Sequence, residues 1–317
     1  MKTYLYFQEK DEDMDDTNGG QKPSRIGGVD IYDCREIDAA DLSGYENAIW
    51  DLFKRKYDCL IVRGALDAET CKCLAEGATK LPTTERSSVT GGWTFPPIFY
   101  KLAEEVANCD AGQRKQVLGA YFERCAQLAN EYSNLLSVDI RGLTHKWLRA
   151  LAGGCNVEIP KGLGSKGEYA GMTLRSFFGG GQGQITLQCG NYLQTVHQHF
   201  YEHLEGQVDV FDQLSFFFFI QAPQAGGEVC LFDLEWEEGQ TKSSLSENVH
   251  VMLPEISFHT ASADLAQILN PEVGDLVIFA AGQIWHRVEP VLGERERITL
   301  GGFAAYSYDK KTVYHWS

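Results

Sequence analysis

No stretch of this chain approaches the length of a membrane span, and basic residues are in short supply. Against 44 Asp and Glu there are 28 Lys and Arg, a formal net charge of -16. The first scarcity predicts a protein that does not cross a bilayer. The second argues against nucleic acid or any other polyanion as partner and leaves small molecules in view. The opening MKTYLYFQEKDEDMDD carries neither a basic n-region nor an apolar h-region, so no secretory signal is expected and the predicted location is cytoplasmic. Paired cysteine spacings are missing too. Nine cysteines lie scattered, Cys71-Lys-Cys73 is not C-x-x-C, and no second pair completes a zinc spacing. Reduced thiols fit best, most of them small core residues. No internal repeat is visible.

What is present suits one large domain with a sizeable core: 317 residues at 44% apolar content. The acidic run EKDEDMDDTNGG predicts a weakly ordered tail over residues 1–26, with order beginning near Gly27. Tyr45–Lys56 has apolar residues at helical spacing, and Cys59–Val62 reads as a short buried strand. Asp67 opens a helix through Gly77, because its carboxylate can accept from exposed backbone N–H groups. Leu81–Pro97, with Gly91-Gly92 and Pro96-Pro97, reads either as a lid over a site or as a plain connection. The aromatic-rich Trp93–Tyr100 is a candidate wall for a bound substrate. Helical patterns return at Ile98–Ala107, Gln116–Ser137 and Thr144–Leu151, and Gly153–Gly171 is irregular. Strands are expected at Met172–Phe178, Gln184–Tyr192, Leu214–Gln221, Glu228–Phe232 and His250–Leu253. Helices first and strands later predict an α+β domain, with a helical layer over 27–171 and a barrel core over 172–317.

The chemistry concentrates in Gly274–Tyr306. Two apolar runs, Leu276–Phe279 and Ile298–Phe303, flank a polar centre with His286, Arg287, Arg295 and Arg297, which predicts strand–turn–strand. On a regular second strand Arg295, Arg297 and Thr299 share one face. An imidazole and a guanidinium from adjacent strands would then point into one barrel mouth, the first suited to a transition metal and the second to an acid. The bland alternative is a surface histidine beside solvated arginines.

Three segments compete to partner His286. His197-Gln-His199 would share a face on a strand, but Tyr192, Leu193, Val196, Phe200, Leu204 and Val208 recur at a helical period. On a helix the two imidazoles point apart. His199-Phe-Tyr-Glu-His203 matches the H-x-x-E-H of one zinc-protease class and suits that period, yet the class needs a further carboxylate on a later helix, where this sequence is β-rich. The third is Gln188-Cys-Gly190-Asn191, at the end of a β-like run.

The chain resembles the iron(II)/2-oxoglutarate-dependent aliphatic halogenases that act on hapalindole-type indole alkaloids. The matching stretches are YENAIWDLF, CLIVRGALDAET, VEIP, CGN, DQLSFFFFIQAPQAGGEV, DLEW, GDLVIF, HRVEPV, RITLGGFAAY and the terminal YHWS. They run in one order over nearly the whole chain after the acidic tail. The resemblance implies a double-stranded β-helix (a cupin-like jelly roll), with Fe(II), 2-oxoglutarate and chloride as cofactors. It also implies a freestanding small-molecule substrate of natural-product type, attacked at an aliphatic C–H without a carrier protein.

In that family the first ligand motif is His-x-Gly-Asn, with glycine where ordinary oxygenases keep a carboxylate and chloride in the gap at iron. Gly190 and Asn191 match, but Gln188 stands at the histidine position. An amide oxygen is a weaker, neutral ligand. Either Gln188 ligates iron weakly beside His286, or His197 or His199 substitutes, or iron chemistry has been lost. By the same resemblance Arg297, with Thr299 beside it, holds the distal carboxylate of 2-oxoglutarate, and Ser215 joins Gly190 as a catalytic position near iron. The resulting expectation is an oxygenase or halogenase-like enzyme. The alternative is a non-catalytic jelly-roll protein whose degenerate metal site binds 2-oxoglutarate or a related molecule.

Overall fold

A run as apolar as LSFFFFI has no side to offer water, and it lies inside the larger of two sheets. The computed structural model describes residues 24–81, 86–89, 91–97, 99–163, 167–237, 240–242 and 266–317. The chain enters through β1 (Ile26–Gly28) and β2 (Cys34–Asp38), then α1 (Ala48–Phe53), β3 (Cys59–Arg63) and α2 (Ala68–Lys80). A hairpin of β4 (Ser87–Val89) and β5 (Gly92–Phe95) follows, and a 3-10 turn at Phe99–Leu102 leads to α3 (Ala103–Ala107), α4 (Ala111–Leu136) and α5 (Ile140–Leu151). Next come β6 (Asn156–Glu158), β7 (Thr173–Phe177), β8 (Ile185–Gln188), α6 (Gly190–Val196), α7 (Gln198–Glu205) and β9 (Leu214–Gln221). The chain closes with β10 (Ala225–Gly226), β11 (Val229–Glu237), β12 (Gln240–Lys242), β13 (Ala266–Leu269), β14 (Leu276–Phe279), β15 (Ile284–Val288), β16 (Val291–Leu292), β17 (Arg297–Tyr306) and β18 (Thr312–Trp316).

The large sheet runs β2-β3-β14-β9-β17-β7-β5-β4, and the small one β1-β13-β11-β15-β8. Strands β13, β14, β15 and β17 therefore alternate between sheets, as a jelly roll requires. This corrects the strand–turn–strand reading of Gly274–Tyr306. The polar centre holding His286 is itself a strand, and it belongs to the small sheet, whereas Arg297 begins a strand of the large one. Local hydrophobicity could not separate the two, because both have apolar neighbours on each side.

Helices form where caps permit. Asp67 accepts from Thr70 N at 2.7 Å to start α2, and Asp110 and Gln113 close a reciprocal capping box on α4. Leu74, Leu128, Leu136, Leu148 and Leu151 from these helices share one core with Leu60, Phe216, Phe218 and Leu300 from the large sheet. The phenol of Tyr132 ties α4 to that sheet, donating to Phe95 O at 2.6 Å and accepting from Leu174 N at 2.9 Å. The first half of the chain contributes strands as well as helices, since β2 to β6 all join the large sheet.

Leu81–Pro97 is not a loop in its described part: β4 and β5 extend the large sheet beside β7, with Trp93 and Phe95 buried. Residues 1–23 of the expected tail and the expected strand at His250–Leu253 lie outside the described residues. Arg25, assigned to the tail, is buried. Its Nε donates to Asp275 at 2.6 Å and its Nη2 pairs with Glu272. Asp275 also accepts from Gly64 N and Glu272 N, both at 2.9 Å, so this one carboxylate ties its own turn to the segments of Arg25 and Gly64. Asp275→Ala should cost about 3–5 kcal/mol, because it takes from the buried Arg25 guanidinium its buried partner and leaves only the exposed Glu272. The loss will be read as a lower urea midpoint at unchanged slope; a shift below about 1 kcal/mol would contradict this role.

Candidate active site

Side chains on a strand alternate between faces, and that period builds a cavity between the sheets. Arg297, Thr299, Gly301 and Phe303 of β17 face it, as do Thr173 and Arg175 of β7 and Ser215 and Phe217 of β9. The small sheet contributes His286 and Val288 of β15, Val229 of β11, and Ile185 and Gln188 of β8. This inner cavity, counted with its opening to solvent, spans about 590 Å³. An outer cavity of about 930 Å³ shares Arg175, Ile185, Gln188, His286 and Phe303 with it. It continues past Val89, Phe177, Gly190, Leu193, Tyr201, Gln213 and Ala281. Among the described residues no carboxylate lines either cavity.

His286 is buried, with its ring edge-on to Phe279 at 4.9 Å between centroids. Its Nδ1 lies 2.9 Å from Ile284 O. A carbonyl only accepts, so Nδ1 carries the proton and Nε2 presents a lone pair to the cavity. Burial holds the imidazole down to about 4 from its ordinary 6.5, outweighing the Ile284 bond, and Arg175 adds repulsion. The ring is thus neutral at pH 7, the state a metal ligand needs. Gln188 stands opposite it in register, with its amide nitrogen 3.5 Å from that Nε2. Half a turn of the amide would present Oε1 to the same space.

Arg297 is also buried, and its Nε has no hydrogen-bond partner among the described residues. Its guanidinium lies 5.5 Å and 5.2 Å from the ring centroids of Phe217 and Phe219. Burial pushes its pKa down to about 9, helped by repulsion from Arg175 and opposed by Glu228. Arg175 sits opposite Thr299 in register, and burial lowers it to about 10. Neither arginine forms an ion pair among the described residues. Two guanidiniums facing one cavity without counter-ions make a site for an anion.

The Cys189–Asn191 turn is fixed from beneath. Gly190 N donates to Ala281 O at 2.9 Å, and Asn191 N to Gly282 O at 2.8 Å. The Asn191 side chain donates to Asp212 Oδ1 at 2.7 Å and accepts from Asp212 N at 2.8 Å. A Cβ at Gly190 would come within 2.8 Å of Gln213 Nε2 and 3.1 Å of Gly282 Cα, so the position is closely fitted to glycine.

Of the residues singled out in the sequence, His286, Gln188, Arg297, Thr299 and Ser215 meet at the inner cavity, and Gly190 lies in the wall of the outer one. His286 and Arg297 come from different sheets rather than adjacent strands. Arg295 precedes the strand; it is exposed and donates to Pro223 O at 3.0 Å. His197 caps the break between α6 and α7 and lines neither cavity, and the His199 side chain lies outside the described residues. His203 faces the Tyr169 hydroxyl at 3.1 Å, and among the described residues no three His, Cys, Asp or Glu side chains group to hold a metal. Trp93, Phe95 and Phe99 of the expected aromatic wall are core residues, and the aromatic side chains that line the outer cavity are Phe177, Tyr201 and Phe303. Arg175 and Gln213 were missed. A lone arginine inside the otherwise apolar strand MTLRSFF was the available signal for the first.

The arrangement fits a dicarboxylate beside a metal. Arg297 offers an unpaired guanidinium to one end, and His286 offers an unprotonated nitrogen near the other. Gln188 can add an amide oxygen as a second, weaker ligand. Two neutral protein donors leave a metal dependent on further ligands.

The profile of the family described as carrier-protein-independent halogenase WelO5 matches residues 31–317. No curated protein sequence matches the chain. Among solved structures, an N-substituted L-amino acid dioxygenase from Burkholderia ambifaria AMMD is 17% identical, with a TM-score of 0.51 over 84% of this chain and 90% of that one. A second structure of it, in complex with alpha-KG, is 18% identical with a TM-score of 0.50 over the same shares. At such identity the likeness shows the fold.

The depressed His286 pKa sets a pH dependence. As pH falls, the unfolded chain protonates this residue near 6.5 while the folded protein resists to about 4, so stability present above 6.5 drains away across that window. The contribution is up to about 3 kcal/mol. In urea unfolding between pH 7 and pH 4, His286→Phe should flatten the decline by that order; an unchanged slope would mean the imidazole is not held neutral by burial.

Proposed function

The chain belongs to the carrier-protein-independent halogenase family, and we propose that its inter-sheet cavity binds 2-oxoglutarate against Arg297 and iron(II) at His286 and Gln188. As a member it is an iron(II)/2-oxoglutarate-dependent oxygenase or halogenase acting on a freestanding small molecule. The observation that carries the site assignment is the buried Arg297, with an unpartnered Nε, in one cavity with the lone pair of His286.

Bound iron(II), with 2-oxoglutarate and dioxygen, supplies the oxidising power that removes hydrogen from an unactivated carbon. The chain's own residues do the rest. Arg297 and Thr299 grip the distal carboxylate and so fix which end of the co-substrate reaches the metal. The Ile284 carbonyl holds the His286 ring in one tautomer and aims Nε2 inward. Gly190, in the outer wall, offers no carboxylate, so a metal held at His286 and Gln188 would depend on small-molecule ligands such as chloride or water. Ser215, in the inner wall, offers a hydroxyl beside the reacting centre. Phe177, Leu193, Tyr201 and Phe303 give the outer cavity an apolar lining, which suits a hydrophobic substrate and excludes bulk water from the reaction.

The finer architecture follows the same reading. Residues 27–317 form one domain, a jelly-roll barrel core with a helical N-terminal layer, supported by the core that α2, α4 and α5 share with the large sheet. Nine unbridged cysteines support a cytoplasmic location. Among the described residues no helix is long and apolar enough to cross a membrane.

One feature favours the second reading, a binding protein without turnover: Gln188 replaces an imidazole by a neutral amide. An anaerobic titration with iron(II) and 2-oxoglutarate decides between them. The wild type should develop the weak visible charge-transfer band of an iron–oxo-acid chelate. Arg297→Ala should weaken 2-oxoglutarate binding by roughly two orders of magnitude, the loss of about 3 kcal/mol for a charge-assisted pair. A band absent from the wild type at millimolar iron and present in Gln188→His would establish the degenerate site.

A further inference from the structure

The outer cavity is walled mostly by apolar side chains, and its few neutral polar groups are unevenly served. Thr186 is exposed and Gln184 half-buried, so water can satisfy both. Gln213 differs. It is 3% exposed, its side chain lines the same cavity, and its Oε1 has no hydrogen-bond partner among the described residues. Buried amide oxygens are normally bonded, because leaving one unpaired forfeits its hydration for nothing. The amide packs directly on Gly190, since a Cβ added to that glycine would lie 2.8 Å from Gln213 Nε2. A molecule bonded to Gln213 is therefore held at a wall that Gly190 shares with His286.

The chain fixes this residue through its backbone. The Gln213 carbonyl accepts from Gly282 N at 2.7 Å. Asp212, just before it, sits in the left-handed region at φ 59°, where few residues other than glycine are found. Asn191 holds Asp212 there, accepting from its N–H and donating to its Oδ1. A backbone outlier secured in this way beside a cavity marks a position that the fold is built to keep. Only the amide at the end of the side chain can still turn, presenting oxygen or nitrogen to what lies beside it.

Resting on the reading that the outer cavity takes the substrate, we propose that Gln213 positions it by accepting a hydrogen bond. The substrate is then an uncharged, hydrophobic molecule that carries an N–H or O–H donor. The electrostatics of the cavity agree. Among the described residues no carboxylate lines it to meet a cationic amine, and Arg175 repels one. Arg175 itself stands opposite Thr299 in register, on the side of the inner cavity, and the other polar groups in the outer wall are neutral. A molecule of the same shape without the donor leaves the amide oxygen buried and unpaired, and such a group discriminates far more sharply than apolar contact does. Gln213 acts on the substrate's orientation, as a positioning residue, and takes no part in the chemistry.

Saturation-transfer NMR titrations of the full chain with two probes, 2-naphthol and 2-methoxynaphthalene, test this without turnover. The probes share a ring system and differ in the O–H donor. In the wild type 2-naphthol should bind at least ~tenfold tighter, about 1.4 kcal/mol. Gln213→Leu, close in volume but without the acceptor, should bring the ratio to within about twofold. Gln213→Glu, whose carboxylate only accepts, should keep the ratio at or above the wild-type value. Leu193→Trp, which fills the outer cavity, should remove binding of both probes. Far-ultraviolet circular dichroism establishes that the variants are folded. Equal affinity for the two probes in the wild type, or an undiminished ratio in Gln213→Leu, would overturn the role of Gln213 while leaving the cavity a hydrophobic site. Binding of neither probe to the wild type, or full binding in Leu193→Trp, would instead remove the reading on which the inference rests.

Discussion

Two guanidinium groups face a shared interior space, neither in an ion pair among the described residues, and the candidate site takes its character from that imbalance. Burying a charge is expensive unless it is paired, and most buried arginines are paired. Here Arg25 is the internal contrast: equally buried, it is matched by Asp275 and Glu272 and serves the fold. Arg297 and Arg175 form no ion pair among the described residues, although Glu228 acts on Arg297 from a distance. The fold sustains that cost because a large hydrophobic core surrounds the cavity, and an incoming dicarboxylate would relieve it. Burial is the main reason His286 stays neutral, and the nearby Arg175 adds repulsion against a protonated imidazole.

The scaffold around this space is bonded to hold position. The turn Ala280–Gln283 joins β14 in one sheet to β15 in the other, and it also accepts the N–H groups of Gly190 and Asn191. Arg55 braces it from outside, donating to Gln283 at 2.6 Å, to Glu235 at 2.8 Å and to Asp58 at 2.6 Å. Gly282 has no room to change, because a Cβ there would lie 2.7 Å from the backbone of Asp212 and Gln213. The segment carrying Gln188 and Gly190 is therefore placed by backbone hydrogen bonds rather than by the ligands it would share.

Much of this was legible in the residues. The strands Leu214–Gln221 and Leu276–Phe279 occupy the bounds their apolar runs suggest, and Asp67 caps its helix. The helical period through Tyr192–Val208 rightly argued against His197-Gln-His199 as a strand chelate. Other features needed three dimensions. That β15 and β17 lie in different sheets is a matter of topology, which no local pattern encodes. The hairpin at Ser87–Phe95 was hidden because its glycines and the prolines that follow it read as loop, although β7 offered an edge to pair with. Arg175 looked like one charge in a strand until its register opposite Thr299 put it in the cavity wall. The motif resemblance pointed to Gln188 and Gly190 beside His286, and the register between β8 and β15 shows how close the Gln188 amide comes to the ring.

The central claim is that one cavity between the sheets brings a metal at His286 and a carboxylate at Arg297 into a single complex. Anomalous diffraction at the cobalt edge, from crystals grown anaerobically with cobalt(II) and 2-oxoglutarate, tests it most directly. The account predicts one strong peak within bonding distance of His286 Nε2 and the Gln188 side chain, with the co-substrate running from that peak to the Arg297 guanidinium. A peak elsewhere, or 2-oxoglutarate density lying away from Arg297, would contradict it.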